Sequence, residues 1–181
     1  MDKFTLIDWL DWTLQLVTRI AVIVGLFFTA RQIKNTIKIH KDNLNWNKRK
    51  AAQDALLSNN QNDIVGKLRE SIDYNNITNP LSLEVINQKI SEDREIQNSI
   101  QRLLDMYEAF SRGILQSIYD EEVIKNARKN SMIRAWNIFQ VYIKDRREKI
   151  NKSAWCEFES LVNRWKHEQT GKDIRKGSLF D

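Results

Sequence analysis

WTLQLVTRIAVIVGLFFTA, residues 12 to 30, decides how the rest of this chain is read. A bilayer-crossing helix takes about 20 largely apolar residues, and this is the stretch that comes close. The eleven residues from Ile20 to Ala30 carry no charge, whereas the first half holds Gln15, Thr18 and Arg19. Ten Leu, Ile, Val and Phe residues lie between Leu14 and Phe28. Together they favour insertion by about 4–5 kcal/mol, and Arg19 with Gln15 returns most of that. As a lone helix in lipid the stretch is near break-even, so something must shelter its polar groups.

Two other readings compete with an uncleaved membrane helix. A signal peptide needs a positive leader, but residues 1 to 11, MDKFTLIDWLD, have three acids and one Lys. Phe28 also stands where a cleavage site wants a small residue. A buried core helix of a soluble protein is the second alternative. For a membrane helix, Trp9 and Trp12 mark one interface and Arg31, Lys34 and Lys38 the other.

The next twenty residues, RQIKNTIKIHKDNLNWNKRK (31 to 50), hold seven cations against Asp42: Arg31, Lys34, Lys38, Lys41, Lys48, Arg49 and Lys50. The 181-residue chain has a net charge of +5, so its basicity is confined to this collar. A nucleic-acid binder more often spreads positive charge over its folded domain. The collar suits anionic headgroups, each cation being worth about 1 kcal/mol near the surface. The positive-inside rule then puts the N-terminus outside and residues 31 to 181 in the cytoplasm. In an oligomer the same cations could instead surround a vestibule that favours anions.

Alternate steps of three and four from Asp8 pass through Asp11, Gln15, Thr18, Val22, Gly25, Thr29, Gln32 and Thr36, a row that is mostly polar or small. Arg19 lies at its edge, one turn beyond Gln15. The flanks carry Leu10, Leu14, Leu16, Val17, Ile20, Ile23, Val24, Phe27 and Phe28, which suit lipid. In a membrane such a stripe turns toward other helices or water. With one span per chain, the partners are other copies or another protein. Either the small residues let helices pack without a lumen, or several copies close a ring whose stripe lines a water-filled path.

Downstream the pattern is helical throughout. The first helix is expected to run to about Ser58 and stop at NNQN, residues 59 to 62. A short helix follows over Asp63 to Ser71, then the loop YNNITNPLS (74 to 82), then a helix capped by Ser82 through Ile90. From Glu92 to Ile118 apolar residues recur as Ile96, Ile100, Leu103, Leu104, Tyr107, Phe110, Ile114 and Ile118. Asp120 caps a short helix through Lys129. Met132, Trp136, Phe139, Ile143 and Ile150 mark a further long helix, and Trp155, Phe158, Leu161, Val162 and Trp165 the last. The expected class is all-α: an N-terminus and transmembrane helix (1–30), a basic juxtamembrane helix (31–58), a cytoplasmic bundle (59–170) and a flexible tail (171–181).

Little in the sequence suggests chemistry. Two His and one Cys form no metal-ligand spacing, no cofactor motif is present, and the lone Cys156 cannot make an internal disulfide. Glu121 with Glu122, and Glu157 with Glu159, read as helix-surface charge with no His or Cys beside them. Trp136, Trp155 and Trp165 read as core, and only Trp46 lies among basic residues. Helical RNases of the HEPN class place four to six residues between an Arg and the His that follows it. Ahead of His167 those positions hold Ser160, Leu161 and Val162, and ahead of His40 they hold Ile33, Lys34 and Asn35. Neither histidine fits, and no catalytic residue is expected.

The N-terminal span together with WNKRKAAQDALL (46–57), IQRLLDMYEAFSRGILQSIYDEEVI (100–124) and WCEFESLVNRW (155–165) resembles small bacterial membrane-anchored helical proteins. Within that kind it is similar to the accessory membrane proteins of type VI-B CRISPR systems, which work beside an RNA-guided RNase. The resemblance implies a divergent HEPN-like helical domain on one inner-membrane helix. It also implies a homo-oligomeric pore that enhances antiviral defence. The missing Arg-to-His spacing agrees with a role other than RNA cleavage. Two further readings stay open: a membrane-tethered scaffold that conducts nothing, and a degenerate RNase.

Overall fold

From Arg94 to Leu115 an apolar residue returns every three or four positions, and the helix this pattern dictates is the centre of the fold. The computed structural model describes the backbone of residues 6–58 and 61–177, and the side chains of Trp9, 12–58 and 62–168. Among the described residues there are six helices and no strand. They are α1 (Leu6–Ser58), α2 (Gln61–Ile72), α3 (Leu83–Glu92), α4 (Arg94–Leu115), α5 (Glu121–Lys149) and α6 (Cys156–Gly177). The chain divides into two units, Met1–Trp46 and Asn47–Asp181.

In the second unit α4 packs against α2, α3, α5 and α6. Its Ile96, Ile100, Leu103, Leu104, Tyr107, Phe110 and Ile114 are buried, as the periodicity predicts. The ring of Phe158 lies 5.5 Å from Tyr107 and 6.0 Å from Trp136, joining α4, α5 and α6. Leu161, Val162 and Trp165 extend that core along α6, Ile64 and Leu68 add α2, and Ala52 adds the end of α1. Burying each large apolar side chain contributes about 1.5–3 kcal/mol, so this cluster is the main stabilising term.

Side-chain oxygens start the inner helices. Ser82 accepts from the Val85 amide, Asp93 from Glu95 at 2.8 Å, and Asp120 from Glu122 at 2.9 Å. α2 and α4 stop where Asp73 (φ 52°) and Ser117 (φ 58°) turn left-handed. After Ser117 the chain folds back, and the amides of Ile118 and Tyr119 both donate to the Gly113 carbonyl, at 2.8 and 3.0 Å. A Cβ on Gly113 would overlap the Tyr119 ring. Alanine at 113 gains about 1 kcal/mol of helix propensity, whereas overpacking costs about 1–3 kcal/mol. Gly113→Ala is therefore expected to destabilise the fold by up to about 2 kcal/mol, read from denaturant midpoints. Adding Tyr119→Ala should relieve the clash.

Three expectations are corrected. The short helix after Asp120 and the long one from Met132 are one helix of 29 residues. Asn130 and Ser131 are weak helix formers, but no Gly or Pro interrupts, and the buried face runs from Ile124 through Met132, Ala135 and Trp136. Ile118 and Ile150 are exposed rather than core, because each lies just past a helix end where the face no longer continues. Residues 171–177, expected as tail, continue α6; 178–181 lie outside the described residues.

In the first unit, residues 14 to 46 of α1 are exposed, Phe27 and Phe28 included. Within that unit its apolar side chains meet no core. Among the described residues α1 is the one helix long and apolar enough to cross a membrane.

Candidate functional site

The polar row begins with Asp8 and Asp11, whose side chains lie outside the described residues. Gln15 and Arg19 are exposed and make no hydrogen bond or ion pair with any described residue. The threonines behave differently. Thr18 donates its hydroxyl to the Leu14 carbonyl at 2.8 Å, Thr29 to Gly25 at 2.8 Å and Thr36 to Gln32 at 3.0 Å. Their polarity is satisfied within the helix, as happens for Ser and Thr four residues after a free lone pair. Val22 is exposed, and a Cβ at Gly25 would meet nothing, so the middle of the row is a shallow, small-residue face. Gln15 and Arg19 are thus the polar groups with described side chains that the stripe leaves unsatisfied in its apolar half.

The collar divides. Arg31, Lys34, Lys38 and Lys41 are exposed in the first unit. Lys48, Arg49 and Lys50 belong to the second, where Arg49 pairs with Asp120 at 3.0 Å and the Lys48 carbonyl accepts from the Asp120 amide at 3.3 Å. The carboxylate that caps α5 therefore also holds the end of α1. Burial opposes ionisation of Asp120, but the Arg49 hydrogen bond and the capping amides outweigh it and hold the carboxyl below its usual range.

A second site lies where α4, α5 and α6 meet. An open cleft of about 450 Å³ is bordered by Asp105, Glu108 and Arg112 of α4, Arg146 of α5, and Asn151, Ser153 and Trp155 of the turn that follows. Trp155 is held at φ 55°, a conformation bulky residues rarely adopt. Its indole N–H donates to Asp105 at 2.7 Å, while Arg147 donates to the Ala154 and Trp155 carbonyls at 2.7 and 3.0 Å. Arg147 also pairs with Glu159, so this arginine is committed to shaping the turn.

Glu108 is 8% exposed. It accepts from the Phe158 amide at 2.8 Å and shares a side-chain hydrogen bond with Glu157. Burial first, and then Glu157, push its carboxyl up to about 7. The same hydrogen bond keeps Glu157 below the usual range. Arg112 stands 3.6 Å from Glu108 and 3.8 Å from Glu157.

The acids of the cleft are thus engaged internally, while its arginines retain donors. The Nε of Arg146 is buried with no hydrogen-bond partner among the described residues, and its guanidinium lies 5.0 Å above the Tyr142 ring. The unspent capacity is that of a cation facing an anion. Neither His nor Cys borders it, and both histidines are exposed elsewhere.

The sequence reading missed this cleft. Glu108 follows Leu104 by four residues, which sets an acid on an otherwise apolar face, and that signal was available. Glu157 and Glu159, expected as surface charge, are partners of Glu108 and Arg147. Glu121 accepts from the Trp165 indole at 2.7 Å and pairs with Arg164.

A family described as a domain of unknown function, DUF4760, matches residues 19–165, and the chain belongs to that family. No curated protein and no solved structure matches.

Proposed function

We propose that this chain is a single-span protein of the bacterial inner membrane, N-terminus outside and bundle in the cytoplasm. In this reading copies of it assemble through α1 into a pore. The observation that carries the proposal is the exposure of residues 14–47, with Gln15 and Arg19 lacking partners among the described residues. Apolar surface of that extent seeks lipid, and a guanidinium at mid-bilayer depth needs water or a neighbouring helix. Arg31, Lys34, Lys38 and Lys41 would then face headgroups and fix the orientation.

The resemblance to type VI-B CRISPR accessory proteins supports the further reading that the pore depolarises the membrane when a partner RNA-guided RNase is active. A HEPN-like origin of the bundle fits one detail of the cleft. Arg146 and Asn151 both border it with four residues between them, so an Asn occupies the place of the His in the cleaving spacing. This agrees with a bundle that is not an enzyme.

The bonding of Thr18, Thr29 and Thr36 to their own backbone favours a second reading, a non-conducting scaffold, because it leaves a stripe suited to dry packing. Purified full-length chain in liposomes separates the two. The pore reading expects ion flux that rises steeply with protein density, and membrane depolarisation in infected cells that also carry the nuclease. An inserted, self-associated chain with no flux in either setting makes it a scaffold.

A further inference from the structure

We propose that Glu108 and Glu157 form a proton-operated latch between α4 and the start of α6, closed by one shared proton and opened by its loss. Trp155, the residue before α6, offers an indole donor but no side-chain acceptor, so the α6 amides need an oxygen from elsewhere. Glu108 supplies it from α4, fifty residues away in sequence, by accepting from the Phe158 amide at 2.8 Å. Beside the Arg112 ion pair, it shares a side-chain hydrogen bond with Glu157, which two carboxyl groups can make only while one is protonated.

The surroundings determine which state holds. On α4, Asp105 is taken by the Trp155 indole, and Arg112 is more than half exposed at 3.6 and 3.8 Å from the two acids. From α5, Arg147 is committed to Glu159 and two carbonyls, and Arg146 borders the same cleft. Once the proton leaves, two negative carboxylates face each other, Glu108 buried and Glu157 partly exposed, and the solvent-screened Arg112 only partly offsets them.

The direction in pH follows from the raised carboxyl. The closed joint holds its proton up to about 7, whereas an opened Glu108 returns to the ordinary 4.5. Stability from this group is complete below 4.5, declines as pH rises through the interval, and is gone above about 7. Glu157 works the other way, since its carboxyl is lowered. Its contribution is present above 4.5 and lost only on further acidification.

The test is hydrogen exchange of the full-length chain in detergent, following the first two turns of α6 and correcting for the intrinsic pH dependence of exchange. Opening at pH 7.5 is expected to be between about tenfold and a hundredfold more frequent than at pH 5. Glu108→Gln mimics the protonated state, since its amide can accept from Phe158 and donate to Glu157, so α6 should stay protected and pH-independent. Asp105→Asn should leave the pH dependence in place. A flat wild-type profile between pH 5 and 7.5 overturns the latch, as does pH dependence that survives in Glu108→Gln. If that variant fails to fold, the wild-type profile decides alone.

Discussion

Arg19→Leu is expected to turn the apolar part of α1 from a marginal membrane segment into a strongly inserting one. The gain is about 2.5–3.5 kcal/mol, roughly a hundredfold in the ratio of inserted to non-inserted chain. It follows because the neighbours of Arg19 from Leu14 to Phe28 already favour hydrocarbon and Arg19 has no partner among the described residues. Protease protection of an N-terminal tag on the full-length chain, in membranes, reads the effect directly. The same change removes a polar group that neighbouring copies would shelter. On the pore reading, mass in mild detergent should shift toward the monomer and flux in liposomes should fall. Unchanged insertion would mean that Arg19 never enters hydrocarbon. Improved insertion with unchanged assembly and flux would place Arg19 outside the helix–helix contact.

Trp165→Ala is expected to destabilise the bundle by about 3–5 kcal/mol, the usual range for deleting a buried aromatic. Trp165 is fully buried, and its indole N–H is bonded to Glu121 near the start of α5. The variant therefore leaves a cavity and removes a cross-link between α5 and α6. Arg164 still pairs with Glu121 at 2.7 Å, so the loss should come mostly from packing. Thermal unfolding followed by near-ultraviolet circular dichroism should show Tm lowered by about 10–20 °C. A shift of only a degree or two would show that α6 does not belong to the cooperative core.

Helix positions and core residues were largely legible because both follow from period and composition. Ile96 to Ile114 and Trp155 to Trp165 read as apolar faces and are buried. Ser82 and Asp120 read as caps and serve as caps. The errors lie where three-dimensional context overrides local pattern. Asn130 and Ser131 suggested a break, but the buried face across them continues the helix. Ile118 and Ile150 kept the period yet fell beyond helices that left-handed Ser117 and the turn after Lys149 had ended. The cleft was invisible for a different reason. Asp105, Glu108, Arg112, Arg146 and Glu157 come from three segments, and pairing between distant segments leaves no trace in a single sequence. For the apolar helix, the polar row could be read from spacing alone. That Thr18, Thr29 and Thr36 satisfy themselves while Gln15 and Arg19 do not required backbone geometry.

The oxygen that completes the beginning of α6 is carried by α4, and the Trp155 indole finds its acceptor on the same helix. The last helix therefore has no finished starting point until the fourth is in place. During synthesis α4 leaves the ribosome first and must wait with the Tyr107 face that meets Phe158 uncovered. A product cut short before residue 155 would keep that sticky surface permanently. The segment from residue 155 onward is thus a closing piece for the bundle, and truncation before it should yield aggregates rather than a smaller folded protein.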